Sequence, residues 1–174
     1  MKLAFFCILA FFSAWAYGGQ TVKLNGSGAS TGVVTGDPDS GEPLVNRGIS
    51  NAVSTGSLGS THTSGRSELG DWDGITLCEY APGVIGVLLV YESGTNIDTA
   101  ANGDQLFRRI SASPDSTLCF DFTDGRFTFT IYTDIVGGTG RFAGASGTAV
   151  TTGSGSNVDD GHSAFQFSLE GELD

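Results

Sequence analysis

Positive charge is scarce in this sequence. It contains eight Lys and Arg against nineteen Asp and Glu, which gives a formal net charge of −11 at neutral pH. Nucleic acids and anionic membrane surfaces both require basic contacts, so we expect no nucleic-acid partner and no attraction to a membrane surface. The acidity is better explained as a means of keeping the protein soluble.

Long apolar runs are also scarce, and the longest lies at the beginning of the chain. Residues 3–16 are almost all apolar, follow Lys2 and end in Ala14-Trp15-Ala16, the small-residue pattern that signal peptidase recognises. The run is shorter than the ~20 residues that a membrane-spanning helix needs. We predict a signal peptide over residues 1–16, followed by a secreted, extracellular protein with no membrane segment; an uncleaved anchor is the alternative.

Helix-forming residues are few. The chain has one Met, 27 Gly and no stretch rich in Leu, Ala, Glu and Lys. No 3.6-residue apolar period persists, whereas short alternating segments separated by turns recur after Gly56, as is typical of an all-β sandwich or closed barrel. The segments predict eight strands, over residues 58–68, 75–80, 84–91, 105–110, 116–122, 126–135, 145–152 and 163–170.

The segment between the signal peptide and these strands has little apolar patterning. Residues 17–56 are rich in Gly, Ser, Thr and Asn, and a turn-forming stretch at residues 37–43 interrupts them. We predict a partly disordered lead-in over residues 17–56, with one or two edge strands at most, before a barrel domain over residues 57–174. Asn25 begins an Asn-Gly-Ser glycosylation acceptor, which would be used in a eukaryotic host.

Cysteine is sparse as well. Cys78 and Cys119 are the pair that remains after cleavage of residues 1–16. An even number in an oxidising compartment favours a disulfide over two unpaired core thiols. We predict a Cys78–Cys119 disulfide.

The most distinctive string is Gly137-Gly138-Thr139-Gly140-Arg141-Phe142-Ala143-Gly144. It superficially matches a dinucleotide-binding fingerprint, but the residues that follow do not form the helix that this fingerprint requires. It predicts instead a Gly-bent connection between two strands, with Phe142 plugging the core. Here the chain resembles the allene oxide cyclase and dirigent barrels, and especially their secreted relatives. The strings at residues 58–63, 100–106 and 167–171 agree with this resemblance, which covers residues 57–173.

This resemblance implies a calycin-like, eight-stranded antiparallel barrel that is often a homo-oligomer and has a lumen able to hold an apolar molecule. Family members that catalyse reactions mainly shape a reactive intermediate. The catalytic residues of the cyclases and dirigent proteins have no anchoring motif in this chain, so the resemblance assigns none.

Six residues are candidates for a ligand site in the lumen. Ligand cavities are mostly apolar and contain a few polar groups. Phe127 and Phe129 alternate with Thr128 and Tyr132, but the sequence does not decide which set faces the lumen. The candidates are Glu79, Tyr91, Phe107, Arg109, Tyr132 and Phe142.

Glu79 is the candidate with the most chemical interest. It shares a strand face with Ile75 and Leu77, so an inward face would place a carboxylate among aliphatic side chains, where it could act as an acid or orient a ligand. Arg109, which shares a face with Phe107, could neutralise it. A Glu79 that points outward into water is the alternative.

Other chemical motifs are weak. His62 and His162 have no nucleophile elbow or zinc-type cysteine spacing beside them, so we expect no cofactor and no metal. The acidic stretches 37–42 and 68–74 favour solvated turns over a structural Ca²⁺ site. Two functions stay open: a container for an apolar small molecule, with cyclase or isomerase activity as an extension, and a non-catalytic structural or surface-interaction barrel. A hydrolase is a third, weaker alternative. An open, apolar-lined lumen would favour the container.

Overall fold

The computed structural model describes residues 19–35, 40, 45–70, 76–111, 113–159 and 161–174. About 79% of these residues are in β-strands, as the sequence predicts, and a 3-10 turn lies at Gly140–Phe142. The predicted signal peptide lies outside the described residues. The strands are β1 Gln20–Thr35, β2 Val45–Gly56, β3 Gly59–Leu69, β4 Thr76–Ala81, β5 Val84–Ala100, β6 Gln105–Ile110, β7 Thr117–Asp121, β8 Arg126–Gly138, β9 Gly147–Asp159 and β10 His162–Leu173.

The strands close into an antiparallel barrel with eight positions around its circumference. Six neighbouring positions are formed by β8, β9, β10, β1, β2 and β3, in that order. β5 pairs with β3 and closes the ring. β6 and β7 lie one after the other between β5 and β8, and β4 continues past the end of β3 on the same edge of β5. Closure leaves the barrel without a free sheet edge along most of its height.

The barrel begins at Gln20, so the prediction of a lead-in before Ser57 differs from the structure. β1 pairs with β10 from Gln20↔Leu173 to Thr31↔His162, and β2 pairs with both β1 and β3. The eight strands predicted after Gly56 are all present. They do not close by themselves, because the ring needs β1 and β2.

The weak sequence signal of β1 has a physical reason. Of the inward residues between Val22 and Gly32, only the first two, Val22 and Leu24, are apolar, and both are 1% exposed. The inward positions that follow are Gly26, Gly28 and Ser30, which give no apolar alternation for a sequence pattern to reveal. This strand is held by its two neighbours rather than by its own hydrophobic face.

The structure decides which strand face is inside. In β8, Phe127 and Phe129 are buried in the lumen, whereas Thr128 and Thr130 are only half-buried on the outer face. The larger apolar set therefore faces inward, which is the arrangement that removes more apolar area from water.

The lumen is divided along its length. One end is filled by a tight apolar cluster, which we call the plug: Val22, Leu24, Leu58, Ala100, Leu106, Ile135, Phe142, Ala145, Ala149, Leu169 and Leu173. The glycine string forms the predicted bent connection between β8 and β9. Gly140 and Gly144 have φ values of 55° and 80°, which other residues rarely adopt. This bend carries Phe142 into the plug, where it is 2% exposed.

The predicted disulfide is present, with Cys78 and Cys119 joined on the outside of the barrel. These residues lie on the two opposite edges of β5, opposite Gly86 and Leu88 respectively. In a flat sheet the next-nearest strands are about 9.6 Å apart. Here the two Cα atoms are 6.0 Å apart, so the sheet bends sharply around β5. A Cβ at Gly86 would lie 3.2 Å from the Cys119 Sγ atom, so a glycine lets the bridge cross.

No helix in the described part of the chain is long and apolar enough to span a membrane.

Candidate binding cavity

The other end of the lumen is open and forms a cavity of about 520 Å³. One side of the wall, built by β5, β7, β8 and β10, is apolar, with Leu89, Tyr91, Leu118, Phe120, Phe127, Phe129, Phe165 and Phe167. The side built by β1, β2 and β3 carries small and polar residues, with Ser30, Gly32, Asn46, Gly48, Ser50, Ala52, Thr63 and Ser67. The cavity is thus apolar on one side and weakly polar on the other.

Glycines on neighbouring strands keep the cavity open. Phe129 lies opposite Gly153 in the β8–β9 register, and Phe165 lies opposite Gly28 in the β10–β1 register. A Cβ at Gly28 would be 2.7 Å from the Phe165 Cζ atom, and one at Gly153 would meet the Phe129 ring more closely still. The rings therefore lie along the wall, over the glycines, rather than across the lumen.

Phe127 and Phe167 pack in the same way over Gly155 and Gly26. Neighbouring rings touch edge-on or tilted, with the centroids of Phe129 and Phe165 6.0 Å apart. Such contacts are typical of stable aromatic packing. The four rings form a continuous aromatic surface on one side of the cavity.

A buried ion pair forms the floor of the cavity, between it and the plug. The Arg108 Nε atom donates to Asp98 Oδ2 at 2.6 Å, and Nη2 donates to Asp98 Oδ1 at 3.1 Å. The Thr63 hydroxyl, directly across the β3–β5 register, donates to the same Oδ1 atom at 2.6 Å. The side chains of Arg108 and Asp98 are 4% and 1% exposed. The bidentate geometry and the added hydroxyl stabilise two charges that would otherwise be costly to bury.

Thr151 Oγ1, on the cavity lining, is buried and has no hydrogen-bond partner in the part of the chain that the structure describes. The hydrogen bonds from Arg108 to Asp98 use Nε and Nη2, and neither of them uses Nη1. Burial raises the pKa of the Tyr91 phenol well above its ordinary value, so Tyr91 stays neutral and able to donate a hydrogen bond.

The mouth of the cavity is formed by exposed apolar side chains. Val34, Ile49 and Phe122 line it, and each is more than half exposed. The β4–β5 hairpin lies at this end of the barrel, with Leu77 and Ile85 also exposed. An apolar molecule that approaches the mouth therefore meets an apolar rim.

The structure separates the six predicted site residues. Tyr91 lines the cavity, and Phe142 lies in the plug behind it. Phe107 and Arg109 share a face, as predicted, and that face is the outer one. Tyr132 is 38% exposed on the outside of β8, the position expected if Phe129 faces inward.

Glu79 is exposed and accepts a hydrogen bond of 3.0 Å from the Gly83 N–H group. It stabilises the turn of the β4–β5 hairpin, and it lies on the opposite face of β4 from Cys78, exposed to water rather than buried among aliphatic side chains. Asn25, the predicted glycosylation site, lies exposed on the outer face of β1.

The sequence analysis did not find the ion pair on the cavity floor, because it proposed Arg109 for the site and the structure places the adjacent Arg108 there. The inward set in β6 is Leu106, Arg108 and Ile110, all buried, rather than Phe107 and Arg109. The sequence did contain a signal for this ion pair: Arg108 alternates with Leu106 and Ile110, so it shares a strand face with two aliphatic residues. A charge in that place implies an equally buried partner, and Asp98 lies diagonally across the β5–β6 register.

The cavity contains no histidine. His62 and His162, the two histidines of the chain, are exposed on the outside of the barrel, and His162 pairs with Asp159. Within the described ranges no three His, Cys, Asp or Glu residues are grouped closely enough to hold a metal ion. The hydrolase alternative therefore has no histidine at the cavity.

Comparison with known proteins yields no match to this chain among protein-family models, curated proteins or solved structures. The architecture that the structure establishes is a closed, eight-position, all-β antiparallel barrel.

Proposed function

We propose that this protein binds an apolar small molecule inside the open half of its barrel. The observation that carries the proposal is the cavity of about 520 Å³ with an aromatic wall. Its volume lies within the ~300–1,000 Å³ range of small-molecule sites. Burial of a ligand against the four phenylalanines would supply the main driving force, because the hydrophobic effect scales with the apolar area removed from water.

The cavity favours a container over a purely structural barrel. A structural barrel needs no internal space, and filling the whole lumen as the plug does would stabilise it, because empty volume lowers stability. The glycines beneath the phenylalanine rings instead preserve space. The relation to allene oxide cyclase and dirigent barrels belongs to this proposal, and it rests on the sequence strings and on the shared barrel architecture. The cyclase or isomerase activity has no residues assigned to it, and an oligomeric state stays a prediction.

Secretion is part of the same proposal. The apolar run over residues 3–16 and the disulfide between Cys78 and Cys119 support it together, since disulfides persist mainly in oxidising compartments. A secreted container would take up its ligand outside the cell or carry it there.

Two substitutions on adjacent residues of β2 test the cavity as the site. Ser50 lines the cavity, whereas Asn51 is exposed on the outer face. Ser50→Phe would occupy the cavity, and Asn51→Phe adds the same ring outside. Binding of the neutral fluorescent probe N-phenylnaphthylamine would be measured with each variant, after thermal unfolding has shown that both fold.

We expect Ser50→Phe to weaken probe binding by at least about tenfold, because the ring and the probe compete for the same volume, and Asn51→Phe to leave it unchanged. Incubation with a hydrophobic compound library, followed by mass spectrometry, would then identify retained molecules. No binding by the wild-type protein, or equal binding by the Ser50→Phe variant, would overturn the proposal and favour the structural alternative.

A further inference from the structure

We infer that the cavity selects a molecule with an uncharged hydrogen-bond acceptor at one end, such as a ketone or ester carbonyl, and that this end lies on the floor against Arg108. The inference rests on the proposed function and deepens it by naming the ligand class and orientation. It follows from the distribution of polar groups along the cavity.

The first observation is the unused donor capacity of Arg108. Its guanidinium has five N–H groups, and those on Nε and Nη2 include the donors to Asp98. Neither hydrogen bond to Asp98 uses Nη1, and Arg108 lines the cavity. The side chain is 4% exposed, so nearly all of its surface is removed from bulk water. Because Nη1 borders the cavity, an acceptor on a ligand can take the place of water there and accept a charge-assisted hydrogen bond from it.

The second observation concerns the other polar side chains that line the cavity. Tyr91 is buried, and Thr151 Oγ1 is a buried hydroxyl oxygen without a partner in the described ranges. Both residues line the cavity together with Arg108. Asn96, which pairs with Arg108 in the β5–β6 register, and Thr63 also line the cavity and are uncharged, whereas the charged Arg66 is exposed to solvent. A ligand would therefore meet uncharged hydrogen-bonding groups beside Arg108 and an apolar surface along the phenylalanine rings.

The charge on the floor argues against an anionic ligand. Asp98 already neutralises Arg108 through two hydrogen bonds, so the pair has no net charge. A carboxylate placed at Nη1 would lose its hydration and lie near the Asp98 carboxylate, and this repulsion would offset its attraction to the guanidinium. The formal net charge of −11 also disfavours the approach of an anion. A neutral carbonyl oxygen accepts the same hydrogen bond without either penalty.

The cavity volume limits the size of the ligand. About 520 Å³ corresponds to the volume of roughly 17 water molecules at ~30 Å³ each. A chain of somewhat fewer non-hydrogen atoms than that would reach from the floor to the apolar rim. Its acceptor end would lie at Arg108 and its hydrocarbon part along the aromatic wall.

Three probes of equal size separate the possibilities: methyl undecyl ketone, tetradecane and dodecanoic acid, which have the same number of non-hydrogen atoms. Each would be titrated against bound N-phenylnaphthylamine with the full-length mature protein at neutral pH. We expect the ketone to bind at least about tenfold more tightly than tetradecane, because a hydrogen bond to a charged donor is worth about that much. We expect the ionised acid to bind more weakly than the ketone.

A pair of adjacent variants assigns the effect to Arg108. Arg108→Lys keeps a positive charge for Asp98 but removes the Nη1 donor, and Arg109→Lys makes the same change on the outer face of the same strand. We expect Arg108→Lys to abolish most of the difference between ketone and tetradecane, and Arg109→Lys to preserve it. Because the ligand series uses the wild-type protein, the inference can be tested even if Arg108→Lys does not fold.

The outcomes distinguish the two proposals. If the ketone and tetradecane displace the probe equally well, or if the acid binds most tightly, the inference about the floor is wrong while the container remains. If neither the fluorescent probe nor any of the three compounds binds, both are wrong.

Discussion

The buried ion pair makes a quantitative prediction about stability. Asp98→Asn keeps the shape of the side chain but removes its charge, which leaves the Arg108 guanidinium, 4% exposed, without a counter-charge. Removing one partner of a buried pair typically costs ~3–5 kcal/mol. Because Nη1 borders the cavity and water can reach a group there, we expect the lower end of that range, a loss of about 3 kcal/mol. For a domain of this size, that loss lowers the melting temperature by roughly 6–12 °C.

A surface ion pair supplies the matched control. Lys23 and Glu170 are joined at 3.1 Å on the outside of the barrel, with side chains 61% and 65% exposed. Glu170→Gln removes a charge in the same way as Asp98→Asn, but exposed pairs are worth only ~0–1 kcal/mol. Urea unfolding followed by tryptophan fluorescence and by circular dichroism would give both free energies of unfolding.

A third variant tests the reason for the effect. Replacing Asp98, Arg108 and Thr63 together by Leu, Met and Val removes the charges and the hydroxyl as a unit. We expect this protein to be more stable than Asp98→Asn, because no unpaired charge stays buried. The reasoning is refuted if Asp98→Asn loses no more stability than Glu170→Gln, or if the triple variant is the least stable of the three.

Two further predictions concern the disulfide and Tyr91. Reduction of the Cys78–Cys119 bridge, with a sequence separation of 41, should lower the free energy of unfolding by about 4 kcal/mol by the loop-entropy estimate. Urea unfolding with and without reductant would measure this loss, and an unchanged unfolding midpoint would contradict the prediction. The Tyr91 phenol should ionise last among the tyrosines in an ultraviolet titration, and Tyr91→Phe should remove that final step while Tyr132→Phe does not. Because the folded pKa is the higher one, the contribution of Tyr91 to stability is complete below its unfolded pKa of ~10 and is lost as the pH rises above it.

The sequence determined most of the secondary structure. Alternation in strands such as β8 and the glycine string at residues 137–147 were enough to predict the strands after Gly56 and the bend that places Phe142 in the core. These features depend on local periodicity and on backbone conformations that only glycine adopts readily. They are properties of short segments, which a single sequence displays directly.

The sequence did not predict that β1 and β2 close the barrel, because these strands lack a local periodic pattern. The inward positions of β1 from Gly26 to Gly32 are glycine and serine, so the strand has almost no apolar face of its own. It is ordered by hydrogen bonds to β2 and β10 along its length and by the phenylalanine rings that pack over Gly26 and Gly28. Pairing between segments far apart in the chain leaves no periodic signal in either one.

The position of the candidate site depended on which of the two faces of each strand points into the lumen. Only the tertiary structure decided this. Alternation placed Phe107 and Arg109 on one face and Leu106 and Arg108 on the other, but a barrel can turn either face inward. Closure of the ring turned Arg108 inward, where it pairs with Asp98 diagonally across the β5–β6 register, and turned Arg109 outward to the solvent. The sequence alone thus determined which residues share a face. The closed barrel decided which face is the lumen, because side chains on a curved sheet become neighbours only once the distant strands β3 and β5 have paired.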